Sequence, residues 1–122
     1  MTVQECYAAM GADYDGVFSR LRKDERIQKF LLMLLKDPSY ALLCESMEAG
    51  NAEEAFRAAH TIKGVGQNLS LTPLYESASR LSDFLRGRND ITDEARNEFG
   101  TLKEECKKTA DCIRQLDAPP QA

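Results

Sequence analysis

Tryptophan is absent from this sequence, and histidine occurs once, at position 60. Long apolar runs are missing as well. The longest, Phe30 to Leu35, has six residues, against about 20 for a membrane span, so no membrane segment is expected. Basic residues never exceed two in a row, and sixteen Lys and Arg against twenty Asp and Glu leave a net charge of −4. That argues against nucleic acid as a partner, because a nucleic-acid binder needs a basic face to displace counterions. The four cysteines, Cys6, Cys44, Cys106 and Cys112, are widely spaced, with no CxxC among them. They read as free thiols, with Cys44, among apolar neighbours, as a small core residue. One histidine and no paired cysteines make no ordinary zinc set, so neither a metal nor a cofactor is expected. The opening MTVQECYAAMGADYDG has no basic stretch and an early Glu5. It does not read as a signal peptide, and a cytoplasmic protein is expected.

Little breaks the chain into strands and turns. Glycine and proline are sparse, seven and four, and two of the prolines are adjacent in the closing APPQA. Hydrophobic residues reach 43% of the 122, enough for one compact domain. No stretch alternates apolar and polar residues as a half-buried strand does. Helix boundaries, by contrast, are well marked. Thr2 with Glu5 reads as a capping box opening a helix over Val3 to Met10, which Gly11 ends. A second short helix covers Tyr14 to Leu21. Asp24 reads as the cap of a third, Glu25 to Lys36, with Ile27, Phe30, Leu31, Leu34 and Leu35 on one core-facing side. Asp37-Pro38 starts a fourth, which Gly50 stops. Asn51 with Glu54 is a second capping box and opens a fifth, Ala52 to about Leu69. Thr72-Pro73 repeats the cap-and-proline device for a sixth, ending near Arg86 and Gly87. Thr92 caps a long seventh, Asp93 to about Leu116. Short connections make neighbouring helices antiparallel. The expected fold is all-α, an up-down four-helix bundle with additional short N-terminal helices. It forms a single domain over 1–122, with its core at about 25–116 and a flexible tail at 117–122.

The fifth helix carries two faces. Ala55, Ala58, Ala59, Ile62, Gly66 and Leu69 recur at three- and four-residue steps and form a buried stripe of mostly small residues. His60, Lys63, Gly64 and Gln67 share another side, displaced from that stripe, which leaves the histidine exposed. Neutral imidazole is a good nucleophile near pH 7. A lysine one turn on favours the neutral ring and offers a donor to an anion attached to it. Glycine inside a helix costs roughly 1 kcal/mol against alanine, so Gly64 needs a reason. Clear space for a bulky anion and an approaching protein is one. Gln67 adds a neutral hydrogen-bond donor. Together these groups suit a phosphoryl group held on a ring nitrogen.

The stretch AHTIKGVGQNLS, residues 59 to 70, resembles the signature of the histidine-containing phosphotransfer (HPt) family, commonly A-H-x-L-K-G followed by small residues and N-L-G. The likeness extends over the helices on either side, with the first short helices resembling the family's variable N-terminal part. It implies a relay in two-component signalling. His60 would take a phosphoryl group from the phospho-aspartate of one receiver domain and pass it to another. Lys63 would stabilise the phosphoryl group, and Gly64 would give steric clearance. The implied partners are response-regulator receiver domains, a histidine kinase, or both, with any magnesium held in the partner's aspartate pocket. A partner would dock on an apolar patch around His60. Two positions depart from the pattern: Ser70 stands where glycine usually follows N-L, and Gln67 stands where a small residue is usual.

Other readings stay open at this level. The same fold could be the phosphoacceptor domain of a chemotaxis-type histidine kinase, or a non-catalytic helical adaptor in which His60 is incidental. An enzyme with its own active site is not expected: there is no second histidine to act as a base, and no P-loop for a nucleotide. A carrier that offers one face to successive partners is expected to be a monomer. Arg80, Arg86 and Arg88 read as solvated charge, and the Phe30–Leu35 run reads as core.

Overall fold

In a computed structural model, residues 1–117 are described, and all their regular structure is helical. The order is α1 (Val3–Met10), α2 (Tyr14–Leu21), α3 (Asp24–Leu34), α4 (Ser39–Ala49), α5 (Ala52–Asn68), α6 (Thr72–Leu85) and α7 (Asp93–Arg114). Among the described residues no helix is long and apolar enough to cross a membrane. α5 packs against both α4 and α6, and α6 against α7, while α1 bridges α7 to the α2–α3 pair. The expected tail begins with Asp117, which is anchored: its N–H donates to the Met1 carbonyl at 2.8 Å, and Gln28 Nε2 donates to its carbonyl at 2.6 Å. Residues 118–122 of that expected tail lie outside the described residues.

Most boundaries fall where the capping chemistry puts them. The Thr2–Glu5 box forms in both directions, Gly50 ends α4 in the left-handed conformation at φ 72°, and Thr92 Oγ1 accepts from the Ala95 N–H. Asn51 caps α5 through the Glu54 N–H, but the return half of that box is replaced, because the Glu54 carboxylate accepts from Arg57 instead. Three expected caps do not form as expected. Pro38, rather than Asp37, stands at the cap of α4, and Asp37, one residue outside, accepts from the Ser39 N–H at 2.8 Å. Asp24 is the first residue of α3 rather than its cap. Its carboxylate accepts from the Tyr14 hydroxyl, and the Lys23 carbonyl receives the first helical N–H groups. α3 also ends two residues early, at Leu34. Thr72 likewise lies inside α6, with Leu71 at the cap. Leu71 is almost wholly buried, and its N–H closes back onto the Gly66 carbonyl at 2.8 Å, so the chain enters the helix one residue sooner.

The Phe30–Leu35 run is a larger correction. Only Leu31 of that run is buried; Phe30, Leu32 and Met33 are exposed, and Leu34 and Leu35 are partly covered. α3 is packed mainly by α1 and α2. A helix covered on one side buries a narrow stripe, here Ile27, Gln28 and Leu31, and its other apolar residues face outward.

The cysteines are free, but the core ones are Cys6 and Cys112, with Cys44 only half-buried. Burial pushes the Cys6 thiol up to about 11 and the Cys106 thiol up to about 12. A raised thiol pKa means less thiolate, the reactive form. At pH 8 we expect alkylation of Cys6 in the folded chain to run at least about a hundredfold slower than in denaturant. Peptide mass spectrometry after timed iodoacetamide exposure reads this directly. Equal rates in both states would contradict the burial of Cys6.

Candidate functional site

α5 is built to bring α6 close on one side and to leave another side open. Ala55 and Ala59 are fully enclosed, and Ala58, Ile62 and Gly66 are buried with them. A Cβ on Gly66 would sit 3.1 Å from the Tyr75 backbone nitrogen and 3.2 Å from its Cα. Backbone cannot move aside as a flexible side chain does, so this glycine sets the α5–α6 separation. Gly64, two residues earlier, is the opposite case: a Cβ there meets nothing within 4 Å. The sequence places both glycines in one motif, and the packing separates their jobs.

His60 is exposed on the open side, with Lys63 and Gly64 half-buried one turn on. Cations on this helix are not equivalent. Arg57 is held by Glu53 and Glu54, both at 3.0 Å, whereas Lys63 forms no ion pair among the described residues. Gln67 is exposed on the same side, seven residues on, or about 10 Å along the axis. The helix thus brings His60, Lys63 and Gly64 together and sets Gln67 apart from the ring.

Sequence reasoning missed the imidazole's actual neighbour. The Phe56 ring stacks on His60 with centroids 5.7 Å apart and planes 28° from parallel. The Arg86 guanidinium lies over the same Phe56 ring, 5.1 Å from its centroid, while also reaching Asp83 at 3.3 Å. The signal for the first contact was the four-residue spacing of Phe56 and His60. The second requires α5 and α6 to run antiparallel, which Gly66 against Tyr75 at one end and Phe56 against Arg86 at the other establish. The other arginines near α6 are engaged as surface charge: Arg80 pairs with Glu98, and Arg88 with Asp90.

Toward the C-terminal end of α5, Val65, Asn68 and Leu69 meet Leu21, Phe30, Met33 and Leu34 around a shallow depression of about 350 Å³. The end of α5 itself is sealed by the first two helices. Arg20 Nη2 donates to the carbonyls of Gln67 at 3.2 Å and Asn68 at 2.9 Å, where a cation also suits the helix dipole. It reaches the Ser70 hydroxyl too. The Tyr7 hydroxyl donates to the Leu69 carbonyl at 2.8 Å, out of contact with solvent.

A sequence profile of the Hpt domain matches residues 25–118. The chain belongs to the Hpt domain family. No curated protein matches the chain, and no solved structure does. Membership places the chain, at the level of the family, in histidine phosphotransfer within phosphorelays, where Hpt domains act as phosphocarrier modules that meet receiver domains and kinases. The matched segment begins within α3 and leaves α1 and α2 outside it. Ser70, the departure from the Hpt N-L-G pattern, keeps the glycine-like backbone, with φ 55°. A left-handed residue other than glycine costs roughly 1–2 kcal/mol. The Arg20 contact and the Asp13 N–H, which donates to the Ser70 carbonyl at 2.9 Å, hold it there.

Proposed function

We propose that this Hpt protein carries a phosphoryl group on His60 between the aspartates of receiver domains. The observation that carries the reading is the open edge at His60: an exposed imidazole beside a glycine whose missing side chain faces empty space. In this reading the chain is a phosphoryl carrier without a nucleotide site of its own, and neither metal nor cofactor is required of it. It is a single domain over 1–122 in which α4 to α7 form an up-down four-helix bundle and α1 to α3 close one end. It works as a cytoplasmic monomer.

Lys63, without a carboxylate partner among the described residues, meets the phosphoryl oxygens. Gly64 gives the receiver's acyl phosphate room to approach in line. Gln67 lies farther along the same side and serves a receiver surface or an attached oxygen that extends that way. The receiver docks on the apolar depression formed by Phe30, Met33, Leu34 and Val65. Asn68, on its edge, lies two turns, or about 12 Å, beyond His60 along α5.

The experiment is transfer of labelled phosphoryl from a phosphorylated receiver domain of the same genome to the purified chain. The label is expected on His60, labile to acid and stable to alkali. No label from any receiver, with label from a histidine kinase and ATP, would move the donor to a kinase. No label from either would leave a helical adaptor. Lys63→Ala is expected to slow transfer or shorten the phosphohistidine lifetime by roughly tenfold, the scale of one charge-assisted hydrogen bond. Time courses of label gain and loss measure it, and unchanged kinetics would remove Lys63 from the site.

A further inference from the structure

We infer that Phe56 is a positioning residue for His60: its ring, held under the Arg86 guanidinium, aims the imidazole for phosphoryl transfer. This rests on the relay reading above and adds a residue that the Hpt signature does not contain. An exposed histidine on a helix ordinarily samples several rotamers. Helical side chains lean back over the preceding turn, which brings this imidazole onto Phe56, one turn earlier. Stacking restricts the ring's second torsion and so narrows the directions its nitrogens can face. Phe56 would itself be free to swing at the surface. The Arg86 guanidinium, at 5.1 Å over the ring, ties it to the end of α6 through a cation–π contact.

The alignment matters because the step is a displacement in line. The unprotonated ring nitrogen donates its lone pair to phosphorus. The bond from phosphorus to the aspartyl oxygen breaks, and the carboxylate leaves with that electron pair. The proton on the other ring nitrogen stays until the product releases it to water. Held at the right angle, the nitrogen needs no search once the receiver has docked.

The single histidine makes the test unambiguous, because the full chain shows one set of imidazole resonances. In the wild type these are expected to carry an upfield ring-current shift, lost in Phe56→Leu and restored in Phe56→Tyr. With a phosphorylated receiver that labels the wild type, Phe56→Leu is expected to lower the saturating transfer rate roughly three- to tenfold. The receiver's KM stays unchanged, and Phe56→Tyr recovers the rate. Arg86→Ala is expected to produce part of the same loss. Labelling by phosphoramidate, a small donor that needs no alignment by docking, stays within about twofold of the wild type. A raised KM with an unchanged saturating rate would make Phe56 a docking contact and overturn the inference. So would an equal loss with phosphoramidate, or failure of Phe56→Tyr to recover the rate. If the wild type takes label from neither donor, the relay reading falls first. If it is labelled and Phe56→Leu matches it, only the positioning role falls.

Discussion

His60→Gln is expected to abolish phosphoryl acceptance altogether while the far-ultraviolet circular dichroism and the thermal midpoint stay close to wild type. The loss is complete, rather than graded, because the amide nitrogen of glutamine carries no available lone pair for attack on phosphorus. No second imidazole exists in the chain to substitute for it. The fold should not notice. His60 is exposed, its one aromatic contact is a surface stack on Phe56, and glutamine has a helix propensity as good as or better than histidine. Losing such a stack costs about 1 kcal/mol, a small part of the 5–15 kcal/mol typical of a domain. Collapse of the dichroism, or label persisting on the variant, would each defeat the assignment of His60 as the acceptor.

One residue earlier the expectation reverses. Ala59→Asp should unfold the helical domain. Ala59 is fully buried on the packed side of α5, and the described residues around it are apolar core. A carboxylate there has two escapes, and neither is cheap. It stays charged without a partner, or it protonates and leaves polar oxygens unsatisfied, at several kcal/mol either way. Its extra atoms must also displace side chains in a close-packed interior, typically for another 1–3 kcal/mol. The sum is of the order of the whole stability of a small domain. Circular dichroism at 222 nm and urea titration will show it. A cooperative native transition within about 1 kcal/mol of wild type would mean that this stripe is not core. The pair of variants separates chemistry from packing across a single peptide bond.

The helical pattern was legible because its signals are local. A capping side chain, a stop glycine and a three- and four-residue apolar rhythm each act within one or two turns, and all seven helices start within a residue of the expected position. The failures share a different cause. Asp24 lost its capping role to a hydroxyl ten residues away on α2. The Phe30–Leu35 run looked like core because apolarity was counted without knowing how many sides of α3 would be covered. Cys44, expected in the core, is only half-buried for the same reason. At the site, the displacement of His60 from the buried stripe was readable from the helix period alone, and so was the division between Gly64 and Gly66. The Phe56–Arg86 contact was not. It joins residues thirty positions apart, and only the antiparallel crossing of α5 and α6 brings them together.

The clamp at the end of α5 bears on where this molecule begins as a physical object. The segment that resembles other Hpt domains starts at residue 25. Yet Tyr7 and Arg20, both before it, occupy the carbonyls with which the histidine-bearing helix ends. A chain trimmed to the boundary of resemblance would hand those carbonyls to water and take Tyr7 and Leu21 from beside Leu69, which now lies in the core. The border of resemblance and the border of packing therefore differ here. The matched segment holds His60, and residues before it hold the last carbonyls of the helix that bears it.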